Sequence, residues 1–527
     1  MVTNVYESVV RTLAILAPEL ILLLAAMGLM TLSAFTQQPR RQWCRAAVWS
    51  VLAALLALFW ASGKETDLYS SAALNDALSF WTRLVVLLSG LVILGLAHDQ
   101  PPDERSGEFF GSLLMMYAGT MLVAAANDIV FLFVGLELVS IPTYLLLYLS
   151  RRSSTTQEAA TKYFYLSIFA SALLLYGLAF LYGSTGLSNL KAMAYLSSRP
   201  LNMPNVNLGL IAIVFVMAGL CFRVAAVPLH FYAPDVYQGS PTVVAAVLSW
   251  LPKVVGFLAM TRALTAVFSQ ASNELVEQAV MLSWIIAAAT MVLGNFVALL
   301  QEDLKRLLAY SSIAHAGYLM VGVTAAFAIG QHGTELYHGT QGVFFYLVAY
   351  ALMTLGAFGV IIMLQIGDRP VETVRQLTGL GWTQPWPALA LAICLLSLSG
   401  IPPLLGFWGK FEIFASAIAA RSLDDSWSLL ILAILGVLTS AVGAYYYLRI
   451  VVLMYLSPAT EQVQVRGGWP VAASVATCAS LTVVLGLFWG AVAQPAREAA
   501  HAAVSHPEPA RPGVTRVADT TSATMRP

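Results

Sequence analysis

The chain has 527 residues, 59% apolar and 10% charged, with 27 basic and 27 acidic side chains in balance. Soluble domains run nearer about 45–50% apolar and about 25% charged, so this composition, with a mean hydropathy of +0.77, excludes a soluble globular protein. The zero net charge says little about partners, because in a membrane chain the position of a charge outweighs the sum.

About fourteen apolar runs are long enough to cross a hydrocarbon core of ~30 Å as helices. They lie at roughly 12–34, 46–62, 79–97, 110–126, 128–149, 162–183, 208–231, 241–267, 278–299, 305–328, 342–366, 388–420, 428–456 and 470–495. The first, TLAILAPELILLLAAMGLMTLSAF, is too long for a secretory h-region and lacks a small-residue cleavage site, so it reads as a span. Glu19 within it is unusual, and contact with a partner subunit is the expectation for it. Alternate segments on one side hold Arg40, Arg41, Arg45, Arg105, Arg151, Arg152, Lys162, Lys305, Arg306, Arg369, Arg375 and Arg466. The other side holds Arg11, Lys64, Lys191, Arg199 and Arg421 before the tail. The positive-inside rule then puts both termini outside, in the periplasm of a bacterial host.

Two spans look broken. The run 388–420 has 33 residues, about 50 Å as continuous helix, and Gly400-Ile401-Pro402-Pro403 interrupts it where two prolines cannot donate. The span ending near 231 carries Pro228, with Pro234 shortly after. Breaks at matching places in two halves point to inverted repeats around an ion path. The halves would be 110–267 and 278–456, five spans each, after an N-terminal three-helix segment 1–109. A C-terminal helix, 470–495, would follow, and then a flexible tail, 496–527, rich in Pro, Ser, Thr and Ala.

Four ionisable residues sit at membrane depth, where a charge costs roughly 2.5–3.5 kcal/mol and persists when paired, hydrated or used. Glu137, in IVFLFVGLELVSIPTYLLLYL, precedes Pro142 by five residues, and the proline frees a carbonyl that could hold water. A structural ion pair is its bland reading; a carboxyl poised to load and release a proton is the sharper one. Lys253 follows Pro252 about twelve residues into its span, too deep for ordinary snorkelling. Lys410 lies seven residues past Pro403, facing the break, with snorkelling or pairing to Glu412 as the alternative. Arg223 stays protonated in proteins, so it reads as a fixed charge that sets the pKa of Glu137 or of a water chain, with structural pairing as the alternative. His230 and His315 are candidate relays, since imidazole can pass a proton between its two nitrogens. A hydrogen-bonding core role is as good a reading for either. Asp303, Lys305 and Arg306 read most simply as a solvated helix start.

No G-x-G-x-x-G follows a strand, no Walker A lysine motif occurs, and no metal-ligand cluster is visible. Cys44, Cys221, Cys394 and Cys478 are widely separated, without a C-x-x-C pair, and support neither a zinc site nor an iron–sulfur cluster. A membrane subunit that moves ions or protons for a larger machine, or a secondary transporter, remains.

Five blocks, LAPELILLL, FVGLELVSIPTYLL, VPLHFYAPDVYQGSPT, LKRLLAYSSIAHAGY and LSGIPPLLGFWGKF, resemble in order and spacing the subunit N family of the proton-pumping NADH–quinone oxidoreductase, respiratory complex I. The resemblance runs over nearly all of 10–490. It implies an all-α polytopic membrane protein of fourteen helices, with two inverted five-helix repeats and broken seventh and twelfth helices. It also implies a mid-plane chain of protonatable residues: Glu137 on the fifth helix, Lys253 on the eighth, His315 along the path and Lys410 on the twelfth. The family usually has lysine where Arg223 stands, so either the seventh-helix cation acts only electrostatically here or the chain comes from a variant complex with different coupling. NADH, FMN, iron–sulfur clusters and quinone would belong to partner subunits, and neighbouring antiporter-like subunits would flank this one. A multisubunit Na⁺/H⁺ antiporter without a redox partner is the nearest rival; a non-transporting scaffold is the other.

Overall fold

The computed structural model describes residues 10–504, except 65, 70, 102, 150–153, 198–205, 269–270, 330–337, 425–426 and 460. Among the described residues thirteen helices are long and apolar enough to cross a membrane, and one further crossing is made by a broken helix. In chain order they are α1 (Ala17–Phe35), α2 (Arg40–Ala61), α3 (Ala77–Ala97), α4 (Ser106–Ala125), α5 (Ile129–Leu149), α6 (Ser154–Thr185), α7a (Val206–Val224) and α7b (Tyr232–Gly239). There follow α8 (Thr242–Ala259, continued by a π-turn, Met260–Thr265), α9 (Asn273–Ala298), α10 (Leu304–Ile329) and α11 (Gly339–Met363). The last are α12a (Pro385–Ser399), α12b (Leu405–Asp424), α13 (Trp427–Leu456), α14 (Trp469–Leu487) and α15 (Gly490–Val504). The expected membrane fold is thus observed. A small antiparallel sheet is added to it, β1 (Leu364–Ile366) between β2 (Arg369–Pro370) and β3 (Gln464–Val465), tying the end of α11 to the α13–α14 connection.

Helices α4, α8, α10 and α11 are buried on nearly every side, while α1, α2, α6, α9 and α13 turn much of their apolar surface outward. Apolarity all round is what an inner helix of a membrane bundle requires. Helices α4–α8 and α9–α13 each make five crossings, and an odd number returns the second set to the opposite face. Both sets open on a pair of helices in backbone contact through glycine: a Cβ on Gly119 would lie 2.9 Å from the Gly135 carbonyl, and one on Gly294 would lie 2.6 Å from the Ala314 nitrogen. Small residues allow this approach where lipid offers no hydrophobic drive to association.

Arg40, Arg105, Lys305, Arg306, Arg375 and Arg466 gather at one face, called the basic face below, among the loops 98–105, 238–240, 300–306 and 364–376. Arg151, Arg152 and Arg199 lie outside the described residues. The short loop before α10 is more than a solvated helix start. Arg306 and Lys162 both hold Asp235 on α7b, at 2.8 and 2.7 Å, and Lys305 donates to the Gln238 and Ser240 carbonyls. These side chains anchor the inner half of the broken seventh helix.

Three expectations are corrected. Glu19 does not reach a partner surface: it is fully buried and pairs with Arg83 on α3, Nε to Oε1 at 2.7 Å, because α1 and α3 both pack on α4 and leave no outward path for the carboxylate. The tail does not begin at 496: residues 490–504 form α15, which packs Ala496, Ala499 and Ala503 at helical spacing against α3 and α11. The rest of the expected tail lies outside the described residues. Lys410 does not pair with Glu412, whose carboxylate accepts from Gln341 at 2.9 Å, since residues two apart on a helix face different ways.

At the face opposite the basic one, Arg262 in the π-turn forks onto Asp76, the N-cap of α3, through two 2.6 Å hydrogen bonds, and its Nε and Nη2 also donate to the Ala124 carbonyl. Burial pushes the Asp76 carboxyl up, and the Arg262 charge and hydrogen bonds override this to hold it below the usual carboxylate range. A lowered native pKa stabilises the fold above about pH 4 and is lost as the pH falls through the native value. Arg262→Ala is expected to cost about 3–5 kcal/mol, as breaking a buried pair does. The measurement is thermal unfolding in detergent at pH 7, and an unchanged midpoint would refute the assignment.

Candidate functional site

The breaks in the seventh and twelfth helices expose carbonyls in the middle of the bundle, and polar side chains converge on them. After α12a, Gly400 takes a left-handed conformation (φ 89°), and the Gly400 and Ile401 N–H groups bond back to Ser397 and Leu396. This is the glycine-terminated helix end that left-handed geometry permits. The last carbonyls, of Leu398 and Ser399, accept from Lys410 Nζ on α12b at 2.9 and 3.0 Å, and Ser440 on α13 takes the third donor at 2.7 Å. An ammonium at a helix C-terminus satisfies both the orphan carbonyls and the macrodipole. Glycine suits this positive φ at 400, and a Cβ there would meet Lys410 Cδ at 3.1 Å, so the lysine would have to shift.

At the other break, α7a ends beside Arg223. Its Nη2 bonds Glu137 Oε1 on α5 at 2.7 Å and Ser171 Oγ on α6 at 3.1 Å, and its Nη1 donates to the Leu136 carbonyl at 3.1 Å. Ser171 donates to the same carboxylate at 2.6 Å. The carbonyl that Pro142 deprives of its usual N–H partner belongs to Leu138, yet the one recruited by the pair is Leu136's. The Tyr232 hydroxyl caps the Phe222 carbonyl across the break at 2.8 Å.

A cavity of about 10 Å³ separates Arg223 from Lys253 and is lined by Tyr163, Tyr232, Tyr237, Leu248 and Pro252. That is about the room one water needs. Lys253 is buried on α8 and donates to Ser312 Oγ on α10 at 2.5 Å, and Ser312 also meets the Tyr237 hydroxyl at 3.3 Å. One residue back, Ser311 bonds the Tyr447 hydroxyl, which lies 3.0 Å from His315 Nε2; His315 Nδ1 is bonded to the Tyr346 hydroxyl. The His315 ring sits between Tyr350 and Tyr318, 5.2 and 5.5 Å between centroids. Beyond each ring stands a lysine, Lys253 Nζ at 5.8 Å from Tyr350 and Lys410 Nζ at 5.1 Å from Tyr318.

The structure therefore draws Glu137, Arg223, Lys253, His315 and Lys410 into one polar row through the bundle. His230 is not brought into it: it lies in the turn between α7a and α7b, half-buried, with Nδ1 unpartnered among the described residues. The row's hydroxyls escaped sequence reading. Ser311, Ser312, His315 and Tyr318 recur at three-, four- and seven-residue spacing, as do Tyr346 and Tyr350, and such a stripe in an apolar span was the available signal. At the basic face, a cavity of about 900 Å³ lined by Glu104, Arg105, Asp303, Lys305 and Glu372 reaches Gln238–Ser240, next in sequence to Tyr237. Among the described residues no group of three metal-ligating side chains is present.

Comparison with known proteins bears on what such a row is for. A family model described as NADH:quinone oxidoreductase/Mrp antiporter, TM, matches residues 126–443. An NADH-quinone oxidoreductase subunit N from Trichlorobacter lovleyi is 36% identical over 498 residues, covering 92% of this chain and 96% of that protein. One from Methylobacterium nodulans is 37% identical over 494 residues, with the same coverage of 92% and 96%. A chain of respiratory complex I from Thermus thermophilus with bound aureothin superposes with a TM-score of 0.73 at 34% identity, over 90% of this chain and 98% of that one. A chain of the Mrp complex from Dietzia sp. gives a TM-score of 0.76 at 20% identity, over 93% and 97%, a likeness of fold alone.

Proposed function

Because the chain belongs to the NADH:quinone oxidoreductase/Mrp antiporter transmembrane family, we propose that it is a proton-translocating membrane subunit of an NADH–quinone oxidoreductase. The observation that carries this reading is the polar row from Glu137 to Lys410. It joins both helix breaks through charged and hydroxyl-bearing groups, with room for water at the cavity beside Lys253. NADH, FMN, the iron–sulfur clusters and quinone are held by partner subunits, and this chain does no electron transfer. It sits in a bacterial inner membrane with both termini periplasmic and antiporter-like subunits beside it.

Protons enter at the basic face through the large cavity and reach Lys253 by way of Tyr237 and Ser312. Quinone reduction next door alters the charge at the Glu137–Arg223 pair. When the pair is closed, Arg223 is neutralised and Lys253 keeps its proton more readily; when it opens, the bare guanidinium favours release from Lys253 towards His315 and Lys410. Two charges 4 Å apart interact by roughly 4 kcal/mol at an effective dielectric of 20, enough to shift a proton equilibrium by several pK units. Arg223 sets the sign because it lines the same small cavity as Lys253. Relatives at 34% identity and above come from the respiratory complex, whereas the antiporter complex matches in fold only, which favours the redox-coupled reading over the rival.

The test is Lys253→Met in inverted membrane vesicles. It should leave the complex assembled and lower the quinone-driven pH gradient by about half or more. A full gradient would sink the reading, and loss of assembly with normal pumping in what remains would favour the scaffold.

A further inference from the structure

Between His315 and Lys410 the run of hydroxyls is interrupted by an amide. Asn295 on α9 is buried; its Nδ2 donates to the Met291 carbonyl and to Tyr318 Oη, both at 2.9 Å, and its Oδ1 accepts from Tyr446 Oη at 3.3 Å. A main-chain carbonyl can only accept, so the nitrogen must face Met291 and the amide has a single permitted orientation. Gly443 on α13 makes room for it, since a Cβ there would lie 2.8 Å from Asn295 Oδ1. Asn295 thus orders two phenols. Tyr446, whose ring packs 4.4 Å from that of Tyr447 in the His315 cluster, gives its proton to the amide oxygen. Tyr318, which faces Lys410, receives one from the amide nitrogen.

Hydroxyls, imidazoles and amines pass a proton on by accepting one while releasing another. An amide does this only by taking a proton at Oδ1 and losing one from Nδ2, which leaves the high-energy imidic acid and has to be reversed before the next transfer. The other side chains of the row between Lys253 and Lys410, Ser312, Ser311, Tyr447, His315, Tyr318 and Ser440, carry no such barrier. We propose that Asn295 is the insulator of this path: it holds Tyr446 and Tyr318 in an order that blocks passive transfer between the His315 and Lys410 sides. Conduction then requires a proton-carrying group to bridge the space that the amide fills between the phenols, which gives the pump a closed state that does not leak. The proposal rests on the translocation reading.

The intact complex in proteoliposomes tests it. Asn295→Asp keeps the shape and introduces a carboxyl that can take a proton on one oxygen and release it from the other. Passive decay of an imposed pH gradient is expected to quicken about tenfold, with quinone reduction retained. Should the Asp complex not assemble, Asn295→Ser, uncharged and able to relay, carries the same expectation. Asn295→Leu, which has no atom to carry a proton, should stay tight. Unchanged decay in the relaying variant, or an equal leak in the Leu variant, would overturn the proposal. Adding Lys410→Met to Asn295→Asp should close the leak, and persistence of the leak would also overturn it. Failure of the translocation reading shows separately, as normal pumping in Lys410→Met alone.

Discussion

Lys410→Met in the assembled complex is expected to reduce proton pumping through this chain about tenfold, the effect of roughly 1.4 kcal/mol at the limiting step. Lys410 holds its three hydrogen bonds at the end of α12a, and a methionine of similar length fills the space without a donor. The Leu398 and Ser399 carbonyls would then be buried and unpaired, at about 1–3 kcal/mol each. Lys410→Arg separates structure from transport. Its charge can still serve the helix end, but a guanidinium does not release its proton in a protein. Recovery of thermal stability without recovery of pumping is the expected pair of results, measured by unfolding in detergent and by gradient formation in vesicles. Restored pumping in the Arg variant would mean that Lys410 is only a helix cap.

The second large effect is at the other break. Arg223→Ala leaves the half-buried Glu137 carboxylate with Ser171 as its remaining described partner, and the loss of stability should fall below the about 3–5 kcal/mol of a fully buried pair. Pumping should fall about tenfold, whereas Arg223→Lys, which keeps a positive charge and three donors, should stay within about twofold of the parent. Glu137→Gln should lose pumping while keeping the complex assembled, because Arg223 retains the Leu136 carbonyl and Ser171. Equal activity in the alanine and lysine variants would show that the cation is not used. The lysine variant has a further use. If it pumps with an altered pH profile while the arginine parent does not shift, the seventh-helix cation is purely electrostatic in this chain.

Some of this could be read without coordinates. Spans such as 128–149 and 305–328 declare themselves by apolar length, and the twelfth-helix break by Gly400, Pro402 and Pro403, because each depends on a few neighbouring residues. Membrane depth made Glu137, Arg223, Lys253 and Lys410 conspicuous, since lipid penalises charge wherever in the fold it occurs. The pairing of Glu137 with Arg223, 86 residues apart, could be expected from their opposite charges at depth; most partnerships could not, as where His315 meets Tyr447 across 132 residues. Glu19 looked like a surface contact until α3 supplied Arg83. Serine, tyrosine and asparagine are the least legible of all. A hydroxyl or amide in an apolar helix costs little enough to serve as filler, as a bond to the preceding turn, or as a link in a relay. Which of these it becomes depends on what the next helix places within 3 Å, and that distance is set by packing between segments far apart in the chain.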